Sequence, residues 1–305
     1  MAAGLAYPAG AAAQTAPPVP QITMEAAKVH VAGKREVVLT RKSFHLRGTM
    51  LPAVAGERVT LEVHRDGKKI RTVRATVAPD GSFTRKVPTR RAGRISVRAS
   101  HRASAALGEA RGPKVTVLAL EPSLAQGASG PLVRLLQRGL SDLHYAVPRN
   151  DAYDAATGRA VMAYRKVNGM ARVFTADRRL IGRVLARRGA FKPRHPDAGR
   201  HVEADISRQV LALIDRGKVV ATYHTSTGAP ATPTIIGSFR VYRKDPGTNA
   251  LGMYKSSYFI RGYAIHGYVS VPAFNASHGC LRVPMEDAAR IYGWLGMGDR
   301  VITYP

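Results

Sequence analysis

The sequence predicts a multidomain, mostly β protein: an N-terminal β-sandwich, then a small three-helix bundle, then a C-terminal mostly-β domain. Three observations carry this expectation. A chain of 305 residues exceeds one ordinary compact unit, and its 45% hydrophobic content suffices for several cores. The apolar period is two over residues 25–119 and again after Arg200, but three to four in between. Finally, Lys192-Pro193-Arg194-His195-Pro196 reads as a linker, because two prolines fit neither a helix interior nor a central strand. The expected divisions are 1–24, a disordered tail or signal-peptide remnant, then domains at 25–120, 121–195 and 199–305.

Residues 1–20 are rich in Ala, Gly and Pro, and Pro8 interrupts their apolar run. Ala11-Ala12-Ala13 before Gln14 has the small-residue character of a signal-sequence end, so the tail reads as a signal peptide lacking its front. This implies an extracytoplasmic location. No segment reaches the ~18–20 apolar residues of a membrane helix, so no transmembrane segment is expected.

In the first β region Val59, Leu61 and Val63 alternate with Thr60, Glu62 and His64. Val73, Ala75 and Val77 repeat the pattern, as do Ile95, Val97 and Ala99. Asp66-Gly67, Pro79-Asp80-Gly81 and Ala92-Gly93 supply turns. This arrangement resembles the immunoglobulin-like modules of exported proteins.

Beyond Pro122, Leu124, Gly127, Gly130, Val133, Leu136, Gln137, Leu140 and Leu143 mark a helix at 3–4-residue spacing, preceded by a glycine-bearing turn. Thr157 opens a second helix with Ala160, Val161 and Tyr164, closed by Asn168-Gly169-Met170. The order resembles the three-helix peptidoglycan-binding domain. It departs at Lys166, near a position where that family commonly has glutamine, and in an Arg-rich third helix (Arg178, Arg179, Arg183, Arg187, Arg188).

The 47 Lys and Arg residues against 20 Asp and Glu leave a formal charge of +27, mostly ahead of residue 199. Such an excess suits an anionic partner: nucleic acid, acidic lipid or a cell-wall polymer. Neither zinc-finger spacing nor an RNP-like aromatic signature is present, so nucleic acid is not the expected partner.

The chain has one cysteine, Cys280, and hence no internal disulfide. A thiol that attacks a carbonyl needs a base or a positive field nearby. His278 lies two residues before it. His266-Gly267 ends the strand Tyr263-Ala264-Ile265, with a loop from Ser270 to Ala276 between. An adjacent strand can deliver a histidine to a thiol, so His266 is assigned as base, with the Gly267 carbonyl orienting its ring and His278 in support. The Gly279 and Cys280 amides are oxyanion-hole candidates, and Arg282 can hold a substrate carboxylate. On spacing alone, a structural cysteine with two bystander histidines fits as well. A zinc site on His266, His278 and Cys280 lacks paired-ligand spacing, so no metal and no cofactor are expected. His201 and His224 read as ordinary surface or core residues.

The run Ser226 to Val283 resembles the L,D-transpeptidase catalytic domain of the YkuD type. It carries His266-Gly267 and Ser277-His278-Gly279-Cys280-Leu281-Arg282, preceded by Ser226-Thr227-Gly228, Thr232-Pro233-Thr234, Gly237 and Phe239. Ile235-Ile236 is one departure. The resemblance implies a mostly β domain in which Cys280 attacks a donor stem peptide of peptidoglycan. D-Ala leaves, and an acceptor stem peptide resolves the thioester into a 3→3 cross-link. It also implies acylation by carbapenems. Water as acceptor would make the site an L,D-carboxypeptidase, and a decayed site would leave only a wall-binding protein. Ser277, Arg282 and Tyr258 are expected at the substrate.

Overall fold

The computed structural model describes residues 16–305; the Ala11-Ala12-Ala13 segment lies outside them. The chain divides into two compact units after Leu120.

The first unit contains strands β1 (Gln21–Ala27), β2 (His30–Ala32), β3 (Arg35–Leu39), β4 (Lys42–Leu51), β5 (Arg58–Arg65), β6 (Lys68–Thr76), β7 (Ser82–Thr89), β8 (Gly93–His101) and β9 (Ala110–Leu120). They form one sheet in the order β1-β4-β7 and another in the order β2-β3-β9-β8-β5-β6. Val59, Leu61, Val63, Ala75, Ile95, Val97 and Ala99 are buried in the core with Phe44, Leu46 and Phe83. The period-two alternation therefore marks the inner face of the larger sheet, as expected of a sandwich.

In the second unit, α1 spans Pro131–Asp142, α2 Ala155–Val167 and α3 Arg178–Leu185. Helix α1 starts after the expected glycine-bearing turn. Gly127 and Gly130 have positive φ, and Pro131 takes the first helical position, where its missing N–H costs no bond. The second helix begins before Thr157, because the Asp154 carboxylate accepts from the Thr157 amide at 2.8 Å. Asp177 caps α3 in the same way through the Leu180 amide. Buried Gln137 donates to Asn150, to the Ala152 carbonyl and to Thr157, fixing the turn between α1 and α2. α1 packs on α3, but α2 packs mainly against two strands of the following sheet.

Those strands are β11 (Val210–Asp215) and β12 (Lys218–His224), the expected hairpin. They follow β10 (His201–Asp205) in the sheet β12-β11-β10-β18-β13, where β13 is Gly237–Arg240 and β18 is Arg300–Tyr304. A second sheet runs β14-β15-β16-β17, with β14 Arg243–Thr248, β15 Tyr254–Ile260, β16 Tyr263–Tyr268 and β17 Leu281–Pro284. Helix α4 (Met285–Trp294) covers β15, β16 and β17. Val202, Leu211, Tyr223, Ile265, Leu281, Ile291 and Val301 make the shared core.

The Lys192–Pro196 segment is irregular but not a free tether. The buried Glu203 carboxylate accepts from the amides of Arg194 at 2.8 Å and His195 at 2.7 Å, and from the Tyr304 hydroxyl at 2.8 Å. His201 and His224 are core residues, 0% and 2% exposed. No helix among the described residues is long and apolar enough to cross a membrane.

Candidate active site

Strands β16 and β17 are parallel neighbours, with Ile265 beside Leu281 and His266 beside Arg282. Alternation sorts their side chains. Ile265, Leu281 and Val283 enter the core. His266 and Arg282 project from the opposite face, together with Ala264 and, one residue before β17, Cys280. The predicted loop thus separates two residues that adjacent strands bring to one face.

The thiol is half-buried and packs against Met253, Tyr258 and Ala264. Burial raises its pKa, opposed by the Ala264 backbone and by the Arg282 charge. His266 is buried, and its Nδ1 lies 2.9 Å from the Gly267 carbonyl. A carbonyl only accepts, so Nδ1 carries the proton and Nε2 presents a lone pair. Burial lowers the imidazole to about 4; the Gly267 bond opposes this and Arg282 adds to it. The resting pair near neutral pH is therefore thiol and neutral imidazole. The thiol also reaches the Gly262 carbonyl at 3.8 Å. It makes no hydrogen bond to His266, and such catalytic bonds commonly tighten only when substrate binds.

Two expectations are corrected. Ser277 does not face substrate: it is 1% exposed, donates to the Cys280 carbonyl at 2.6 Å and accepts from the Gly279 amide at 3.1 Å. A small hydroxyl residue closes this turn by bonding its own neighbours. The Gly279 amide is thereby engaged and is not a free oxyanion donor. Glycine is required there for another reason. Its φ is +108°, and an added Cβ would stand 1.7 Å from the Tyr263 ring.

The other expected residues separate. His278 is exposed. Tyr258 is a core aromatic beneath the thiol, with the Arg243 guanidinium 3.9 Å from its ring centroid. The Arg282 guanidinium stands 4.1 Å from the centroid of Tyr268 and donates to the Ala276 carbonyl at 3.3 Å. Tyr268 also meets the His266 ring edge-on at 5.7 Å. Sequence reasoning missed Tyr263 and Tyr268, although both flank the His266 motif.

The upstream motifs buttress the turn that carries Cys280. Ser226 exchanges backbone bonds with Arg282, and its hydroxyl donates to the Phe274 carbonyl at 2.6 Å. Thr232 donates to the Ser277 carbonyl at 3.0 Å. Thr234 accepts from the Gly228 amide at 2.9 Å and donates to the Gly279 carbonyl at 2.8 Å. A Cβ on Gly228 would meet the Thr232 carbonyl at 2.2 Å, so only glycine admits this approach.

The loop between His266 and Cys280 is also held from the helical segment. Lys166 is 3% exposed and donates to the carbonyls of Gln209 at 3.1 Å and Thr225 at 2.9 Å, and to His224 Nδ1 at 2.7 Å. His224 Nε2 in turn bonds the Val271 carbonyl at 2.9 Å. Burial lowers Lys166 to about 6 and His224 to about 3. Exposed Arg172 reaches the Ala273 and Ser207 carbonyls, both at 3.0 Å. The Lys166 departure from the helical family's pattern is thus a buried tether. Among the described residues, no group of three or more His, Cys, Asp or Glu side chains could hold a metal ion.

Comparison with known proteins places these strands. Residues 199–303 match the YkuD family, described as the L,D-transpeptidase catalytic domain. An L,D-transpeptidase from Xylanimonas cellulosilytica is 30% identical in its crystal structure, over 61% of this chain and 98% of that one, with a TM-score of 0.57. One from Stackebrandtia nassauensis is 18% identical over 61% and 98%, with a TM-score of 0.37. No curated protein matches the chain. The chain belongs to the L,D-transpeptidase family.

Proposed function

We propose that the chain forms 3→3 cross-links in peptidoglycan through a thioester on Cys280. The supporting observation is the parallel register that puts Cys280, His266 and Arg282 on one face while the Gly267 carbonyl sets the imidazole tautomer. As Sγ bonds to the carbonyl carbon of the donor's third residue, His266 Nε2 takes the thiol proton. The C–N bond to D-Ala then breaks, and the leaving amine receives that proton. The acceptor amine attacks the thioester, forming the new amide, and gives a proton to His266; the thiolate leaves and is reprotonated. With the Gly279 amide engaged, the oxyanion falls to the Cys280 amide. Arg282 supplies the positive field for a donor carboxylate. Tyr258 shapes the pocket floor, and His278 stands at the exposed edge.

The family places the chain's work outside the cytoplasm. Its +27 charge favours retention on anionic wall polymers, and the helical segment favours contact with the wall itself.

Intact mass after incubation with a carbapenem tests the nucleophile. One adduct is expected on the unmodified protein and none on Cys280→Ala; no adduct on either defeats this reading and leaves a wall-binding protein. Donor and acceptor stem peptides then separate outcomes: a cross-linked dimer supports transfer, whereas shortened monomer alone identifies an L,D-carboxypeptidase.

A further inference from the structure

The outer face of the larger sheet in the first unit carries more positive charge than its own residues neutralise. Val97, Ala99, Val115 and Val117 turn toward the core, so alternation sends Arg98 and Lys114 outward; Val73 and Ala75 do the same for Arg74. The strand register lays out two rows on this face. Glu62, Arg98 and Lys114 run side by side across β5, β8 and β9. Arg74, Thr60, Ser100 and Arg111 run across β6, β5, β8 and β9. Arg74, Arg98, Arg111 and Lys114 are all exposed, and none makes an ion pair among the described residues. Glu62, the one carboxylate in these rows, is taken by Lys69 at 2.5 Å.

Arg98 and Lys114 are direct cross-strand partners, about 5 Å apart at Cα. Like charges in that relation destabilise a sheet, and one acidic residue at either position would remove the cost. The pair borders a depression of about 530 Å³, lined also by Ser96, Ser100, Arg102 and Arg111. Its carboxylates are Glu62, already paired, and Glu109. Guanidinium and ammonium groups only donate hydrogen bonds, and serine hydroxyls can donate beside them.

We propose that this sheet face binds the phosphodiester backbone of an anionic wall polymer, one phosphate bridging Arg98 and Lys114 and the next reaching Arg111. The proposal deepens the retention on wall polymers proposed above and rests on that reading. Arginine holds a phosphate through two parallel N–H bonds, and a phosphate between Arg98 and Lys114 relieves their repulsion. No Phe, Tyr or Trp lines the depression, so the bases of a single-stranded nucleic acid find nothing to stack on. Nor does an apolar side chain line it for insertion among lipids.

Titration of the full chain with synthetic poly(glycerol phosphate) tests this. The unmodified chain is expected to bind, and neutralising two phosphates predicts roughly tenfold weakening between 50 and 200 mM salt. Lys114→Glu turns the like-charged pair into an opposite one, so Tm should rise while affinity falls about tenfold. The rise shows that lost binding is not lost folding. Arg98→Gln combined with Arg111→Gln should weaken binding by a similar factor. Arg85→Gln combined with Lys86→Gln removes the same charge from exposed positions on β7, in the other sheet, and should leave affinity within about twofold. No polymer binding by the unmodified chain, undiminished binding by Lys114→Glu, or equal weakening by the β7 variant overturns the site. Tighter binding of single-stranded DNA or of phosphatidylglycerol vesicles than of the polymer assigns the face to another partner and also overturns it. Carbapenem adduct formation should be the same in every variant, so the fate of the Cys280 reaction is read separately from that of this face.

Discussion

His266 and Arg282 are register partners on adjacent parallel strands, so a permanent cation stands beside the imidazole and two residues from the thiol. Its charge lowers the pKa of both groups. Arg282→Gln should therefore raise both, moving the acid limb of kcat/KM above its native position. It should also raise KM for a carboxylate-bearing donor. Stopped-flow acylation across pH checks this; an unmoved limb would show that Arg282 acts only on substrate.

The native acid limb itself should fall near 4, where His266 takes up a proton and ceases to be a base. The rate should be flat through neutrality, since burial holds the thiol protonated above its ordinary value and Nε2 stays free. A bell centred near pH 6 would instead indicate a resting thiolate–imidazolium pair.

Stability should decline on the acid side over a related window. His266 at about 4 and His224 at about 3 both titrate below their ordinary value of 6.5. The unfolded chain binds these protons from about pH 6.5 downward, and the folded chain only near 4 and 3. Their contribution is complete above pH 6.5 and is lost as pH falls. Asp287, raised to about 6 by burial, works in the opposite direction. Thermal melts of His224→Gln between pH 7 and 4 should show a shallower decline than the unmodified protein.

Thr234→Val should destabilise the chain by about 1–3 kcal/mol, because it leaves the Gly228 amide and the Gly279 carbonyl without their partner. Denaturant unfolding measures the loss. Gly279→Ala should be worse, since a positive φ and the Tyr263 ring both oppose a Cβ. Loss of carbapenem acylation with a lowered Tm is the expected result.

Lys166→Met strands the Thr225 carbonyl and His224 Nδ1, while the Gln209 carbonyl keeps the Thr225 amide, and should cost about 2 kcal/mol or more. Arg172→Ala removes an exposed side chain, so its stability should change by less than about 0.5 kcal/mol. If these two contacts position the loop, Arg172→Ala still slows acylation, seen as a fall in kcat with little change in KM.

Much of the site was legible because the relevant signals are local. The strand carrying His266, the loop through Pro272 and the Gly279-Cys280 turn follow from alternation and turn chemistry. Ser277 was misplaced for the same reason: its bonds to Gly279 and Cys280 are local, but spacing does not say whether a hydroxyl faces its own turn or a substrate. The apolar spacing from Leu124 does not itself fix where the first helix starts; the positive φ of Gly127 and Gly130 keeps that stretch as the turn and leaves Pro131 as the first helical residue.

By itself, the sequence determined which faces of the strands are apolar, where the chain turns, and that a lone thiol sits among a histidine, a glycine and an arginine. Tertiary structure decided which strand lies beside which. It paired His266 with Arg282, engaged the Gly279 amide, and ran Lys166 from a helix into the bonds that hold the catalytic loop. Alternation specifies a face and leaves the partner open, whereas a buried lysine is tolerated only where a distant backbone supplies acceptors.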